Sequence, residues 1–178
     1  MLTIKRVEEK QIDLMDLQVG DLISDNGIQF IVISREGEQA IIQQYDHVED
    51  YVFNKDGSNV YKGSDLQKYV QNEYRKQFSE DFLKHCGEFY ILTKEMFYEN
   101  EFLGIPKNRI RYDSNGYGTW YWTASPNVGF GYNVRSIYPA GGIYSYLASS
   151  SSGVAPACVF HLASLASAPS GAQEDLND

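Results

Sequence analysis

Three histidines, two cysteines and one small acidic cluster are the side chains with obvious base, nucleophile or metal-ligand chemistry in this chain. His47, His85 and His161 lie far apart, and none belongs to an H-x-x-x-H pair, the spacing that turns two imidazoles toward one metal from a helix face. Cys86 directly follows His85. Neighbours on a helix point about 100° apart, so these two do not face each other as a thiolate–imidazole couple would, and a structural role is expected. Cys86 and Cys158 are too few for a disulfide framework or a four-thiolate zinc site. One bridge, or two buried thiols, are the readings left. Asp46, Glu49 and Asp50 cluster, but without the Gly and terminal Glu of a calcium loop, and read as a solvated loop. Gly129-Phe130-Gly131 lacks the third Gly and the following helix of a dinucleotide loop. No catalytic residue, metal or cofactor is expected from these patterns.

Charge is spread unevenly along the chain. Residues 1–122 carry 14 Lys+Arg against 21 Asp+Glu, whereas residues 123–172 carry one charged side chain, Arg135. That stretch holds 10 Ser, 6 Gly and 9 Ala, half of its 50 residues, together with Phe130, Tyr132, Tyr138, Tyr144 and Tyr146. Rigid aromatics among small polar residues suit an adaptable binding surface. They equally suit β-hairpins with aromatic cross-strand pairs. With no Asp, Glu or Lys in the stretch, general acid–base chemistry has little to work with there. The net charge of −9 excludes a general phosphate-backbone binder and a surface held to anionic lipid. No apolar run approaches the roughly 18 residues of a membrane span. The start, MLTIKRVEEKQ, lacks the apolar core and small-residue site of a secretory signal, so none is expected here.

The elements that must position these residues follow from periodicity. A short strand is expected over residues 2–7. A turn at Val19-Gly20-Asp21 precedes a hairpin of strands 28–34 and 39–45, joined by Arg35-Glu36-Gly37-Glu38. Ser64 and Gln67 form a capping box, and Leu66, Tyr69, Val70, Tyr74 and Phe78 give one apolar helix face to about residue 78. Ser79 starts a second short helix. Residues 89–92 read as a strand, and Thr93 caps a third helix over 94 to about 101. From Trp120 the pattern is β: 120–125, 132–138, 143–148 and 154–162, with Pro139-Ala140-Gly141-Gly142 as a turn. Strands, helices, then strands indicate an α+β domain over 1–162, with 163–178 as a flexible tail. Trp120, Trp122, Val134, Val154 and Phe160 are expected in the core.

Four segments resemble, in order, motifs of a family of uncharacterised bacterial and phage domains. Gly63-Ser64-Asp65-Leu66-Gln67-Lys68-Tyr69-Val70-Gln71-Asn72-Glu73-Tyr74 is similar to the family's S-D-L-R-x-W-L-N-x-x-F helix. Phe89-Tyr90-Ile91-Leu92-Thr93-Lys94-Glu95 is similar to F-L-L-S-x-x-E, and Tyr121-Trp122-Thr123-Ala124-Ser125-Pro126 to W-W-L-R-S-P. Gly153-Val154-Ala155-Pro156-Ala157-Cys158 is similar to G-V-R-P-A. The matches span about residues 19–162. The resemblance implies a C-type-lectin-like fold. Members with a Ser/Tyr/Asn-rich stretch between the last two motifs resemble variable proteins of diversity-generating retroelements, in which a reverse transcriptase rewrites a C-terminal cassette at adenines. Three features depart from the family or its relatives. The calcium motifs E-P-N and W-N-D do not occur, Ala155 stands where Arg is frequent, and Cys86 and Cys158 do not match the paired cysteines of the formylglycine-making relatives.

The genetic code offers a check on the retroelement reading. Asn codons (AAC or AAT) mutated at both adenines never encode Lys, Glu, Gln, Met or Trp. Residues 123–172 contain none of these five types, whereas residues 1–122 contain 34. At the latter frequency such an absence has a chance of roughly 10⁻⁷. A Ser/Gly/Ala-rich β segment also avoids long charged residues.

The expected function is therefore receptor recognition by a sequence-variable surface, not catalysis. Residues 127–152 form the candidate variable segment. The candidate contacts are Phe130, Tyr132, Arg135, Tyr138, Tyr144 and Tyr146, with Ser149 and Ser151 as small polar partners, because large aromatics and Arg dominate interface energies. The expected partner is a protein or glycan on another cell surface, with no nucleic acid and no membrane insertion; oligomerisation is compatible with this reading. A phage virion or bacterial surface is the expected location. Two alternatives stand beside it. One is an enzyme of related fold drawing on His47, Asp46 or Glu49; the other is a structural virion or surface-decoration protein without a specific ligand.

Overall fold

The computed structural model describes residues 13–163. The strand expected over 2–7 and all but the first residue of the expected tail lie outside this range. Within it the chain is a mixed α+β structure with two sheets, few short helices and a strand-rich C-terminal half.

The hairpin read from the sequence forms as β2 (Ile28–Glu36) and β3 (Gln39–Gln44), with Gly37 turning at φ 59° in the left-handed region that favours Gly. Four successive β2 residues, Phe30 to Ile33, are buried, because this sheet is covered on both faces. Phe30 and Val32 join one core with Leu66, Val70, Trp122 and Phe160, while Ile31 and Ile33 join a second with Leu92, Phe97 and Tyr121. A strand not foreseen, β1 (Leu22–Asp25), pairs antiparallel to β2. With β9 (Ala157–His161) the four-stranded order is β1-β2-β3-β9.

The capping box starts α1 (Asp65–Asn72): the Gln67 amide donates to Ser64 Oγ at 3.1 Å, and Gln67 Oε1 accepts from the Gly63 amide at 2.7 Å. The helix expected to run to residue 78 stops at Asn72, and a 3₁₀ turn, Tyr74–Gln77, replaces its last part. Aromatic packing overrides helical periodicity here. Tyr74 lies 5.2 Å from Phe78 and 5.0 Å from Phe89 edge-to-face, and its hydroxyl donates to buried Gln44 Oε1 at 2.6 Å. Next, Ser79 caps α2 (Glu80–Leu83) as expected.

Three expectations need correction. Residues 89–92 are not a strand: Tyr90 makes one isolated bridge to Ala157, and Leu92 C=O turns away to accept from Ala124 N. Thr93 precedes α3 (Lys94–Glu99) without capping it; Ser125 Oγ accepts from the Lys94 amide instead, at 2.9 Å. The single strand expected over 154–162 is two, β8 (Ser151–Val154) and β9, belonging to different sheets and joined by Ala155-Pro156. Pro156 has no amide to donate, and its carbonyl accepts from Gln44 N at 2.9 Å.

The second sheet has five strands in the order β4-β8-β5-β6-β7. Here β4 is Glu49–Val52, β5 is Tyr121–Pro126, β6 is Asn133–Ile137 and β7 is Ile143–Leu147. The acidic run read as a loop is thus partly the edge strand β4, paired to β8 from Glu49↔Val154 to Val52↔Ser151. The other edge strand is β7.

Candidate ligand-binding site

Framework residues clamp both ends of the β6–β7 hairpin. At its turn, Gly141 sits at φ 93°, and a Cβ there would lie 2.0 Å from Pro106 O. The guanidinium of buried Arg109 donates to Gly141 O at 3.2 Å and to Leu103 O at 2.6 Å, so the 97–111 segment grips the turn. Nearby, fully buried Arg111 donates to Gln43 Oε1 at 3.1 Å and to the Asn108 and Ile110 carbonyls at 2.9 Å. At the other end the Asn59 side-chain amide reaches the carbonyls of Asn127, Phe130 and Asn133 at 3.2–3.4 Å. A hairpin held this way keeps its backbone while its outward side chains contribute little to the core.

Strand register decides which side chains share a face. Trp122 is opposite Ser136, Ser136 opposite Tyr144, and Val134 opposite Tyr146. Side chains directly across a ladder point to the same side. Trp120 and Tyr138 extend this face by alternation. One half of it is covered: Trp122 and Val134 are buried, with Phe53 5.4 Å from the Trp122 ring. The other half is bare. Tyr138, Tyr144 and Tyr146 surround Trp120 at ring-centroid distances of 4.9, 6.2 and 6.0 Å, and all three are exposed, Tyr144 by 56%. Trp120 is half-buried, which corrects its expected place in the core. Trp122, Val134, Val154 and Phe160 are buried as expected.

The eight candidate contacts do not form one patch. Tyr138, Tyr144 and Tyr146 come together. Arg135 is opposite Ser145 on the other side of the sheet, half-buried, with Nη1 3.4 Å from Ser145 Oγ. Phe130 and Tyr132, 66% and 71% exposed, stand on the 127–132 loop without ring contacts to the Trp120 cluster. Ser149 is exposed beyond β7. Ser151 meets the cluster through a cavity of about 270 Å³ lined by Asp50, Thr119, Trp120, Tyr146, Ser151 and Ser152. Sequence reasoning missed Asp50, Thr119, Trp120 and Ser152. The signal for Trp120 was its two-residue spacing from Trp122, which places both on one face.

The groups with chemical potential are engaged elsewhere. His47 Nδ1 lies 3.1 Å from Asp46 Oδ1, and that carboxylate also accepts from Gln29 N at 2.8 Å. His47 and Glu49 border a cavity of about 10 Å³, room for a single water. His85 stacks on Phe160 at 5.0 Å, with Nδ1 2.7 Å from His161 O. Cys86 and Cys158 are both buried free thiols. The hydrogen bond with Cys86 and burial push the Cys158 thiol above its ordinary range. Among the described residues no three His, Cys, Asp or Glu side chains group to hold a metal, and no helix is long and apolar enough to cross a membrane.

The chain matches no protein-family model and no curated protein.

Proposed function

We propose that the protein recognises a receptor through a sequence-variable surface carried on a C-type-lectin-like scaffold and diversified by adenine-directed retroelement mutagenesis. The observation that carries this reading is the bare half of the five-stranded sheet. Its exposed Tyr138, Tyr144 and Tyr146 all come from the segment free of Lys, Glu, Gln, Met and Trp. The residues that clamp the hairpin, Asn59, Pro106 and Arg109, all come from the charged portion before it. Changing side chains on a fixed backbone is the arrangement such diversification requires.

The binding surface is the Trp120 cluster, with Phe130 and Tyr132 as a separate projection and Ser149 and Ser151 at its margin. Arg135 acts from the opposite side of the sheet. The partner is a protein or glycan displayed on another cell, met from a phage virion or bacterial surface. An enzyme of related fold is less favoured, because His47 and Glu49 border a space for one water and the exposed face offers no acid–base pair.

The test is the flanking DNA. A near-copy of the codons for about residues 120–160, differing only at adenines and lying beside a reverse transcriptase gene, is the expected finding. Adenine-independent variation, or none, with no such gene nearby, would overturn the diversification.

A further inference from the structure

We infer that the outer edge of β7 takes up an extended segment of a partner protein as an added strand. The inference deepens the binding reading above and rests on it for the role of the tyrosines. It chooses a protein over a glycan and says how the partner's chain lies. Three observations converge on it.

First, the β6–β7 ladder fixes which backbone groups of β7 point outward. At its two ends Tyr138 N donates to Gly142 O at 2.7 Å and Ala148 N to Tyr132 O at 2.8 Å. Between them the register runs without a bulge from Ile137↔Ile143 to Asn133↔Leu147. Hydrogen-bonded pairs alternate along an antiparallel ladder, so Tyr144 and Tyr146 bond to Ser136 and Val134 of β6. The amides of Ile143, Ser145 and Leu147, with the carbonyls of Ile143 and Ser145, therefore face away from the sheet. None of these groups bonds to a turn or loop backbone among the described residues; the Leu147 carbonyl is taken by Ser150 N at 3.0 Å. An extended polypeptide carries donors and acceptors at this same two-residue repeat, and a glycan does not.

Second, the other sheet edges are covered or charged, and β7 is neither. The outer side of β9 is bridged by Cys86 and Tyr90, with Gly87 N donating to Val159 O at 2.8 Å and Tyr90 N to Ala157 O at 2.9 Å. β1 ends at Asp25, whose carboxylate accepts from Ser79 N at 2.9 Å and Ser79 Oγ at 2.6 Å, which ties the start of α2 there. β4 exposes Glu49 and Asp50, and its Tyr51 stacks on Tyr69 of α1 at 4.3 Å. Charge, proline, bulges and covering elements are what keep an edge from pairing with another chain. β7, Ile143-Tyr144-Ser145-Tyr146-Leu147, has none of the four, and Tyr144, Tyr146 and Leu147 are exposed.

Third, charge chooses a foreign strand over a second copy of this chain. Each copy carries −9, so two copies repel, whereas a cationic segment is attracted. A five-residue strand is about 17 Å long, so two β7 edges paired alone fall short of the roughly 1,000 Å² that a stable interface buries. A single partner segment docks as one more strand, with alternate side chains beside Tyr144 and Tyr146 on the Trp120 face. The main chain of β7 is the same whatever its side chains are. It therefore supplies pairing common to all variants, while Tyr138, Tyr144 and Tyr146 select among strands.

The experiment follows the backbone amide resonances of β7 in the full chain during titration with acetyl-Lys-Val-Thr-Val-Thr-Val-Lys-amide. Its analogue N-methylated at the five central residues keeps the side chains and loses the donors; methyl α-mannoside is the glycan probe. The parent peptide is expected to give saturable shifts at Ile143, Ser145 and Leu147 and to slow hydrogen exchange there, while Tyr144 and Tyr146 are protected with or without it. The N-methylated analogue is expected to bind at least about tenfold more weakly, the loss of the main-chain bonds. Leu147→Pro removes one outward amide, which an edge strand tolerates, and is expected to weaken the peptide without unfolding the chain. Should that variant fail to fold, the comparison of the two peptides decides alone. Equal binding of both peptides, no shift at millimolar peptide, or saturation by the mannoside alone would overturn the added strand. Protection of the outward amides that rises with protein concentration alone would make a second copy the occupant, and overturn it too. The flanking DNA keeps the two claims apart. If the peptide pairs with β7 and no template copy is found, the edge site stands and the diversification falls; a template copy with no peptide pairing gives the converse.

Discussion

Trp120 and Trp122 stand two residues apart on one face of the same sheet and live in different surroundings. Trp122 is buried against Phe53, with Nε1 donating to Tyr51 O at 2.8 Å. Trp120 is half-buried, ringed by three exposed tyrosines and bordered by a cavity. The same residue type on the same face is framework in one half and surface in the other. What differs is cover: α1 and the chain around Phe53 join the core beneath Trp122, Val134 and Val154, and that core does not include Trp120. A tertiary boundary across one sheet thus separates buried framework residues from exposed ones.

The largest expected effect is on the covered half. Trp122→Ala removes a buried indole and its hydrogen bond, and a loss of about 3–5 kcal/mol in unfolding free energy is expected by denaturant titration. Gly141→Ala comes next. The positive φ and the approach to Pro106 O force the turn off its clamp, at a cost of about 3 kcal/mol and a fall of roughly 6–12 °C in melting temperature. A result near zero would mean that the hairpin turn is not tied to the 97–111 segment.

Alkaline pH sharpens the contrast through Tyr121, on the opposite, fully covered face of β5. Burial pushes its phenol up to about 12, the nearby Arg111 and Arg109 opposing, and its hydroxyl donates to Arg109 O at 2.6 Å. The folded state holds this proton more tightly than the unfolded chain, whose phenol titrates near 10. The contribution is therefore complete below about pH 10 and is lost as pH rises toward 12. It is worth about 2–3 kcal/mol, and Tyr121→Phe is expected to flatten that part of the profile. Smallest of all, Tyr144→Ala is expected to change stability by about 0.5 kcal/mol or less, because an exposed ring on an edge strand has little core to leave.

Local signals in the sequence foretold local structure well. Ser64 with Gln67 marked the start of α1, Gly37 the β2–β3 turn and Gly141 the β6–β7 turn, because caps and positive-φ turns are decided by neighbours in the chain. Cover was not legible. Val154 to Leu162 reads as one apolar run, yet Pro156 splits it between two sheets. Glu49 and Asp50 look like a solvated loop, since a paired edge strand with exposed acids has no apolar alternation to reveal it. Trp120 looked like core because nothing local says where the covering helix ends. Arg135 is grouped in the sequence reading with Tyr138, Tyr144 and Tyr146, although its spacing of three residues from Tyr138 along one strand puts those two on opposite faces, as the register bears out.

The central claim is that the bare half tolerates change and the covered half does not. The direct measurement compares two libraries for the fraction of soluble clones and their melting temperatures. One randomises Tyr138, Tyr144, Tyr146 and Ser149; the other randomises Leu66, Val134, Trp122 and Phe160. Most clones of the first are expected to fold with melting temperatures near that of the parent, and few of the second to fold at all. If the first library unfolds as often as the second, the Trp120 cluster is part of the core, and the account of a variable face on a fixed hairpin is wrong.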